Sequence, residues 1–261
     1  MICAMSLMAC LEKEEGCLDP NALNLDVTAD VNANCDYPSI RFNVSHRWIR
    51  PMEGDSLVFR LNQLVNVPAS EDSVIFSSIR FYLSNVVLGG SEALVVMDSI
   101  RLTDDQYVEN DLMLLSTASF QFATGDINRF GTFNGLEFDV GYDQEWIDVD
   151  TSFLQNKNRS HVWFNNVMRN DEVRYRCQLD YTIYGPAMVD TVRRVMGLEG
   201  PGVKGIVKTG NFNVSQANHA DVDLFLDYRR LFQDVELRQA DSVDMMEQII
   251  NNIQAALHVV Q

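Results

Sequence analysis

Basic charge is scarce in this sequence. Twenty Lys and Arg stand against 37 Asp and Glu, a formal net charge of −17 over 261 residues. A surface this acidic repels phosphate backbones and anionic headgroups, which argues against nucleic acid as a partner and against a purely electrostatic hold on a membrane. Long apolar runs are also lacking: no stretch approaches the roughly 18 residues of a membrane-spanning helix. Catalytic signatures are missing as well, with no G-x-S-x-G, H-E-x-x-H, C-x-x-C or phosphate-binding loop. Gly200-Pro-Gly202-Val-Lys-Gly205 spells G-x-G-x-x-G. That fingerprint needs a strand before it and a helix after it. Here a looped or helical stretch precedes it and Ile206-Val207 begins a strand, so a plain loop is expected. Carboxylates are too many to nominate an acid–base pair, and no Cys–His pairing stands out. The chain is therefore expected not to be an enzyme. Internal repeats and low-complexity tracts are absent too.

What is present is apolar material for a sizeable core: 46% hydrophobic against 22% charged residues. From Ile40 onward it recurs with period two, the mark of strands with one buried face. Ile40, Phe42, Val44, His46 and Trp48 alternate with polar residues, as do Ile79, Phe81 and Leu83, and Leu136, Phe138 and Val140. The clearest run is Val173, Tyr175, Cys177, Leu179, Tyr181 and Ile183, and Val222, Leu224, Leu226 and Tyr228 form another. These segments predict a mainly β fold, an antiparallel β-sandwich-like domain over residues 39–261, with Phe81, Phe138 and Tyr175 sharing its interior. Cys177 falls on the apolar face as a buried, inert thiol. The period then changes. Val243, Met246, Ile249, Ile250, Ile253 and Leu257 recur at three- and four-residue spacing, after Ser242 as N-cap and with Asp244 in the first turn. A C-terminal α-helix is expected there, with His258 near its end. A shorter helix is expected between Pro186 and Gly202, and His219 is expected in a loop.

Before Ile40 the pattern differs. Leu7-Met8-Ala9-Cys10 looks like a bacterial lipobox, in which a peptidase cuts before a cysteine that has received a diacylglyceryl group. Charged residues follow at once (Glu12, Lys13, Glu14, Glu15), as where a signal ends and a tether begins. The segment holds no Lys or Arg before Cys10 and is short for a signal, so its leader is expected to start upstream of Met1. Residues 1–10 are read as the end of a signal peptide. Two acyl chains on Cys10 would give a stable anchor. Of the five cysteines, Cys3 would leave with the signal and Cys10 would carry lipid. Cys17 and Cys35 remain as a natural disulfide pair, with Cys177 alone. Closing that loop contributes roughly 3 kcal/mol. The bracketed stretch, Gly16-Cys-Leu-Asp-Pro-Asn-Ala through Cys35-Asp-Tyr-Pro38, resembles a small module common in surface proteins of Bacteroidetes. Residues 11–38 are thus read as tether and module, with one boundary near Pro38. Asp19, Asp26, Asp30 and Asp36 offer oxygen ligands that could hold calcium, but the spacing is not that of an EF-hand loop. Turn formation is the favoured role.

Four histidines are available. His46 lies on the apolar face of its strand, and His161 stands just before Val162-Trp163-Phe164 and close to Met168. Imidazole suits copper and thioether suits its reduced form.

Several segments, in order, resemble the MbnP-like (methanobactin-associated, copper-binding) family. They are Ile79-Arg-Phe-Tyr-Leu-Ser-Asn85, Val95-Val-Met-Asp98, Gly131-Thr-Phe-Asn-Gly-Leu-Glu-Phe-Asp-Val-Gly-Tyr-Asp143, His161-Val-Trp-Phe164, Asp221 to Phe232, and the final helix through Ile250-Asn-Asn252. The likeness spans roughly Ile40 to Val260. It implies an exported β-sandwich-like protein that binds copper through histidine and an oxidised tryptophan, with a di-haem enzyme as partner. Carried over by position, His46 matches a first-strand histidine and Trp163 the central tryptophan; with His161 they are the candidate metal ligands. The chain departs from the pattern at Val207-Lys-Thr-Gly210, where a histidine is missing, and at His161-Val162, where the family has Met. The competing expectation is a metal-free structural or accessory lipoprotein in a larger surface complex. Either way the protein is expected in the periplasm, at the outer membrane or at the cell surface, held by its N-terminal lipid.

Overall fold

Alternation decides the architecture. Along Ser39–Arg50 each residue from Ile40 to Trp48 with an inward-facing side chain is buried, and its neighbours are half-exposed. The same one-sided burial repeats around the molecule, and a strand of this kind must lay its apolar face on a second layer. The structure, a computed structural model, describes residues 13–50, 55–68, 71–89, 99–101, 105, 107–109, 112–117, 121–127, 130–142, 146, 169–170, 173–186, 191–199, 203–214, 219–238 and 242–260.

In chain order the elements are β1 (Glu15–Gly16), β2 (Val31–Asn32), β3 (Ser39–Arg50), β4 (Asp55–Val58), β5 (Leu64–Asn66), β6 (Ser73–Gly89), β7 (Ser99–Arg101), β8 (Tyr107–Glu109), β9 (Met113–Ser116) and β10 (Gln121–Asp126). There follow β11 (Gly131–Val140), β12 (Arg169–Asn170), β13 (Val173–Tyr184), β14 (Thr191–Glu199), β15 (Val203–Val214), β16 (His219–Asp227), α1 (Tyr228–Leu231), α2 (Ser242–Ala256) and β17 (Leu257–Val259). The smaller sheet runs β10-β3-β16-β17, with β4 also on β3; the larger runs β12-β13-β6-β11-β15, with β14 on β13 and with β5 and β9 on β6. Ile40, Phe42, Val222 and Leu224 of the first sheet share one core with Phe81, Leu83, Phe138, Leu179 and Ile183 of the second. The fold is mainly β, sandwich-like and overwhelmingly antiparallel, and α2 buries Met246, Ile249, Ile250 and Ile253 in the same core.

Five local expectations are corrected. The pair β3/β16 is parallel, from His219↔Ser39 to Asp227↔Arg47, because the whole intervening chain serves as its crossover. Residues 191–199 form strand β14 rather than a helix. Val192, Val195 and Met196 mimic helical spacing, but the open edge of β13 needs a partner and the tertiary demand wins. His219 opens β16 instead of lying in a loop. The terminal helix ends at Ala256, so Leu257 and His258 belong to β17, and Val243 at its other end is half-exposed. Tyr175 is only partly buried, because the register of β13 against β14 shifts between Tyr175 and Cys177. Of the glycine-rich stretch, Val203 to Gly205 already lie in strand β15, and Gly200 to Gly202 lie outside the described residues.

Gly210 shows how closely the layers meet at one edge. A Cβ there would lie 3.0 Å from Val259 Cγ1, so β15 and β17 approach only because position 210 has no side chain. Gly210→Val is expected to displace β17 and cost about 1–3 kcal/mol. The urea midpoint should fall at an unchanged m-value.

Candidate functional site

His46 lies where its strand face places it. It is 3% exposed, and its Nδ1 lies 2.9 Å from the hydroxyl of Tyr228. Tyr228 opens α1 and stacks on Phe59 with ring centroids 3.9 Å apart. Burial pushes the Tyr228 phenol well above its ordinary value, so it keeps its proton. The local cause of the arrangement is Asp227. Its carboxylate accepts from the backbone N–H of Arg229 at 3.0 Å, ending β16 and capping α1, which swings Tyr228 under β3.

The other proposed copper ligands, His161 and Trp163, lie outside the described residues, as does Cys10. Among the described residues no group of three or more His, Cys, Asp or Glu side chains converges as a metal-holding set. One imbedded imidazole, with one ring nitrogen engaged by a phenol, does not make a copper donor set. His46 is thus the one proposed ligand whose surroundings the structure describes.

The N-terminal module is closed by the Cys17–Cys35 disulfide, with Cα atoms 4.7 Å apart. Three of its carboxylates, Asp19, Asp26 and Asp30, are engaged within the module. Asp19 Oδ1 accepts from the Asn21 N–H at 2.8 Å, and its other oxygen accepts from the Tyr37 hydroxyl at 2.7 Å. Those contacts, the backbone one first, hold Asp19 below the usual carboxylate range. Asp26 accepts from the Thr28 hydroxyl at 2.6 Å and its N–H at 2.9 Å, and is lowered in the same way. Asp30 accepts from the Glu14 N–H at 3.2 Å. The module has almost no core beyond Cys17 and Ala22.

A third feature was not legible beforehand. Phe81 of β6 pairs with both Cys177 and Leu115, while Leu83 pairs with both Val140 and Met113. Met113 and Leu115 share strand β9 on one edge of β6. Cys177 and Val140 therefore share the opposite edge, and β11 and β13 lie end to end along it. The sheet forks at Tyr82, whose carbonyl accepts from the Gly141 N–H at 2.7 Å as the chain departs. Tyr82 lies outside the main core cluster, yet it is fully buried, with Leu114 beside it on β9 and Tyr142 against its ring. Its ring meets Tyr142 edge-on at 6.1 Å. Beside it Asn85 adopts a left-handed conformation (φ 52°) at a register shift and donates to Asp139 at 2.8 Å. The fork thus brings together the buried Ser84 and Asp139 and the half-buried Asn85. Polar residues at Arg80, Tyr82 and Ser84 read as a solvent face; the sequence carries no local sign of what covers them.

Burial raises the acids of this interior together. The Cys177 thiol is pushed up to about 12, and Tyr181 to about 12, while Tyr82 rises well above its ordinary value. In each case the folded chain keeps a proton that the unfolded chain releases sooner. Stability is then flat below the unfolded pKa of 9.0 for the thiol and falls as pH climbs from there toward 12. Urea midpoints measured across this alkaline range should decline, and Cys177→Ala should make the decline shallower. Iodoacetamide should leave Cys177 unmodified in the native protein at mildly alkaline pH and alkylate it in urea.

No known protein-family profile matches the chain, and no curated protein matches it in sequence. Among solved structures it is similar to MbnP from Methylosinus trichosporium, at 12% sequence identity over 80% of this chain and 83% of that one, with a TM-score of 0.43.

Proposed function

We propose that this chain is an exported, lipid-tethered accessory protein of the bacterial envelope, whose sandwich-like body binds or scaffolds rather than catalyses. The observation that carries the reading is the disulfide-closed module set between the lipobox-like Cys10 and the body. Disulfides persist in oxidising compartments outside the cytosol. No flexible linker separates module from body. Tyr37 is tied back to Asp19, and the carbonyl of Pro38 accepts from the Ile127 N–H at 2.7 Å before β3 begins. A tether joined to such a module holds the body at a fixed stand-off. The non-catalytic part of the reading is supported by the buried, protonated Cys177 thiol and by basic side chains already paired, such as Arg41 with Asp221 and Arg193 with Asp180. Copper is not part of this reading, because His46 is built into the core through Tyr228.

Metabolic labelling with a radioactive fatty acid tests the tether in cells expressing the natural gene. The wild-type protein should take up label and sediment with membranes. Cys10→Ala should lose the label and become soluble. An unlabelled wild-type protein overturns the tether.

A second test addresses the module. The disulfide closes a loop of sequence separation 18. Cys17→Ser with Cys35→Ser is expected to cost the module about 3 kcal/mol. Limited proteolysis should then cut within 13–38 while the body stays resistant.

A further inference from the structure

The outer face of the smaller sheet carries an open trough of about 370 Å³, lined by Asn43, Ser45, Arg47, Asp223 and Val260. It exists because of a single small residue. On β3 the outward positions read Arg41, Asn43, Ser45 and Arg47, and Ser45 leaves a gap between longer neighbours. Its hydroxyl is turned down onto the Leu224 carbonyl at 3.3 Å. The parallel register sets Asp223 beside Asn43 at one end, and Arg47 stands two outward positions further along. That spacing is about 13 Å between backbones, and the two side chains narrow it.

The two ends are chemically opposite. Among the described residues Asp223 accepts one hydrogen bond on Oδ1, from Asn43 at 2.9 Å, and its Oδ2 accepts none. Among the described residues the Arg47 guanidinium makes no hydrogen bond or ion pair; its Cζ lies over the Phe225 ring, 4.9 Å from the centre. Phe225 is in turn steadied by His258, stacked at 4.5 Å. The neighbouring charges are not available in this way, because Arg41 and Asp221 are locked together in a two-point pair. Thus an acceptor-only group and a donor-only group, each with open capacity, face one trough from its two ends.

We propose that this trough binds a small zwitterion of short-peptide size, with its ammonium group on Asp223 and its carboxylate on Arg47. The charge pattern selects this class. An anion meets Asp223 and Asp221 at one end, and a cation meets Arg47 at the other. A neutral ligand would cover both charges without compensating either, which is costly. A guanidinium over a ring face keeps its N–H fork for a carboxylate, which it can meet in a two-point geometry. Val260 supplies an apolar wall for the peptide backbone between the termini.

An amide-resolved NMR titration of the whole chain tests this, with glycylglycine as the zwitterion. N-acetyl-glycylglycine amide serves as its uncharged counterpart, and sucrose as a neutral polar control. Glycylglycine should shift the amides of Asn43, Ser45 and Val260 along one saturating curve. The capped peptide and sucrose should bind at least about tenfold more weakly. Arg47→Met and Asp223→Asn should each weaken glycylglycine by about tenfold or more. Ser45→Tyr, which fills the trough and keeps both charges, should abolish the shifts while the rest of the spectrum is unchanged. Equal binding of the capped peptide or of sucrose overturns the proposal. So does a glycylglycine titration that leaves those three amides in place.

Discussion

The larger sheet depends on the backbone pairing of one long strand. β6 runs for 17 residues through the middle of that sheet, and its main-chain donors and acceptors need strand partners. One edge is paired over Ser73–Ile75 and Arg80–Leu83, the other over Ser73–Phe81 and Leu83–Gly89. β5 and β9 take one edge in turn, and β13 and β11 take the other. No single partner is long enough to cover an edge of β6, so each edge is shared by two. The fork at Tyr82 is the price of that arrangement. Two strands that meet end to end cannot both continue, and the chain must leave the sheet and return. At that break Tyr142 packs against Tyr82 and polar groups become buried. Helix α2 packs against both β14 and β15, the outer strands of the two arms, and Arg176 reaches toward its Glu247 at 3.9 Å.

Electrostatics follow from the same framework. The chain is strongly acidic, yet much of its basic charge is used locally across strands. Arg193 lies against Asp180 on the paired strand, and Arg50 against Asp55. Exposed pairs of this kind contribute little stability each, typically below about 1 kcal/mol. Their role on a sheet face is to prevent like charges from standing opposite one another. Against this background Arg47 is distinctive, since its charge is oriented by an aromatic ring and left open.

What could be read from the sequence is what depends on neighbours along the chain. The alternation of Ile40 to Trp48 announces both a strand and the face on which His46 lies. The spacing of Met246, Ile249, Ile250 and Ile253 announces a helix, and the cysteine count leads to the pair Cys17–Cys35. What failed depends on distant chain. Val192, Val195 and Met196 are too few to separate a short helix from a strand, and only the edge of β13 decides. Tyr82 and Ser84 look like a wet face because the ring against Tyr82, that of Tyr142, arrives some 60 residues later. His46 was correctly placed, but its partner Tyr228 is 182 residues away. Arg47 and Asp223 become ends of one trough only through the parallel register of β3 and β16, which no local pattern encodes.

That parallel register has a consequence in time. β3 is among the earliest segments of the body to be made and β16 among the last, and β17 must then close against Leu224 to Leu226. A ribosome or a transport channel that delivers the chain amino end first hands over the opening strand long before its companion. The central seam of the smaller sheet stays unzipped through that interval, while all strands of the larger sheet, from Leu64 to Val214, are already made. Such closure is slow, as for any contact between remote parts of a chain, and it makes the smaller sheet the later of the two to form.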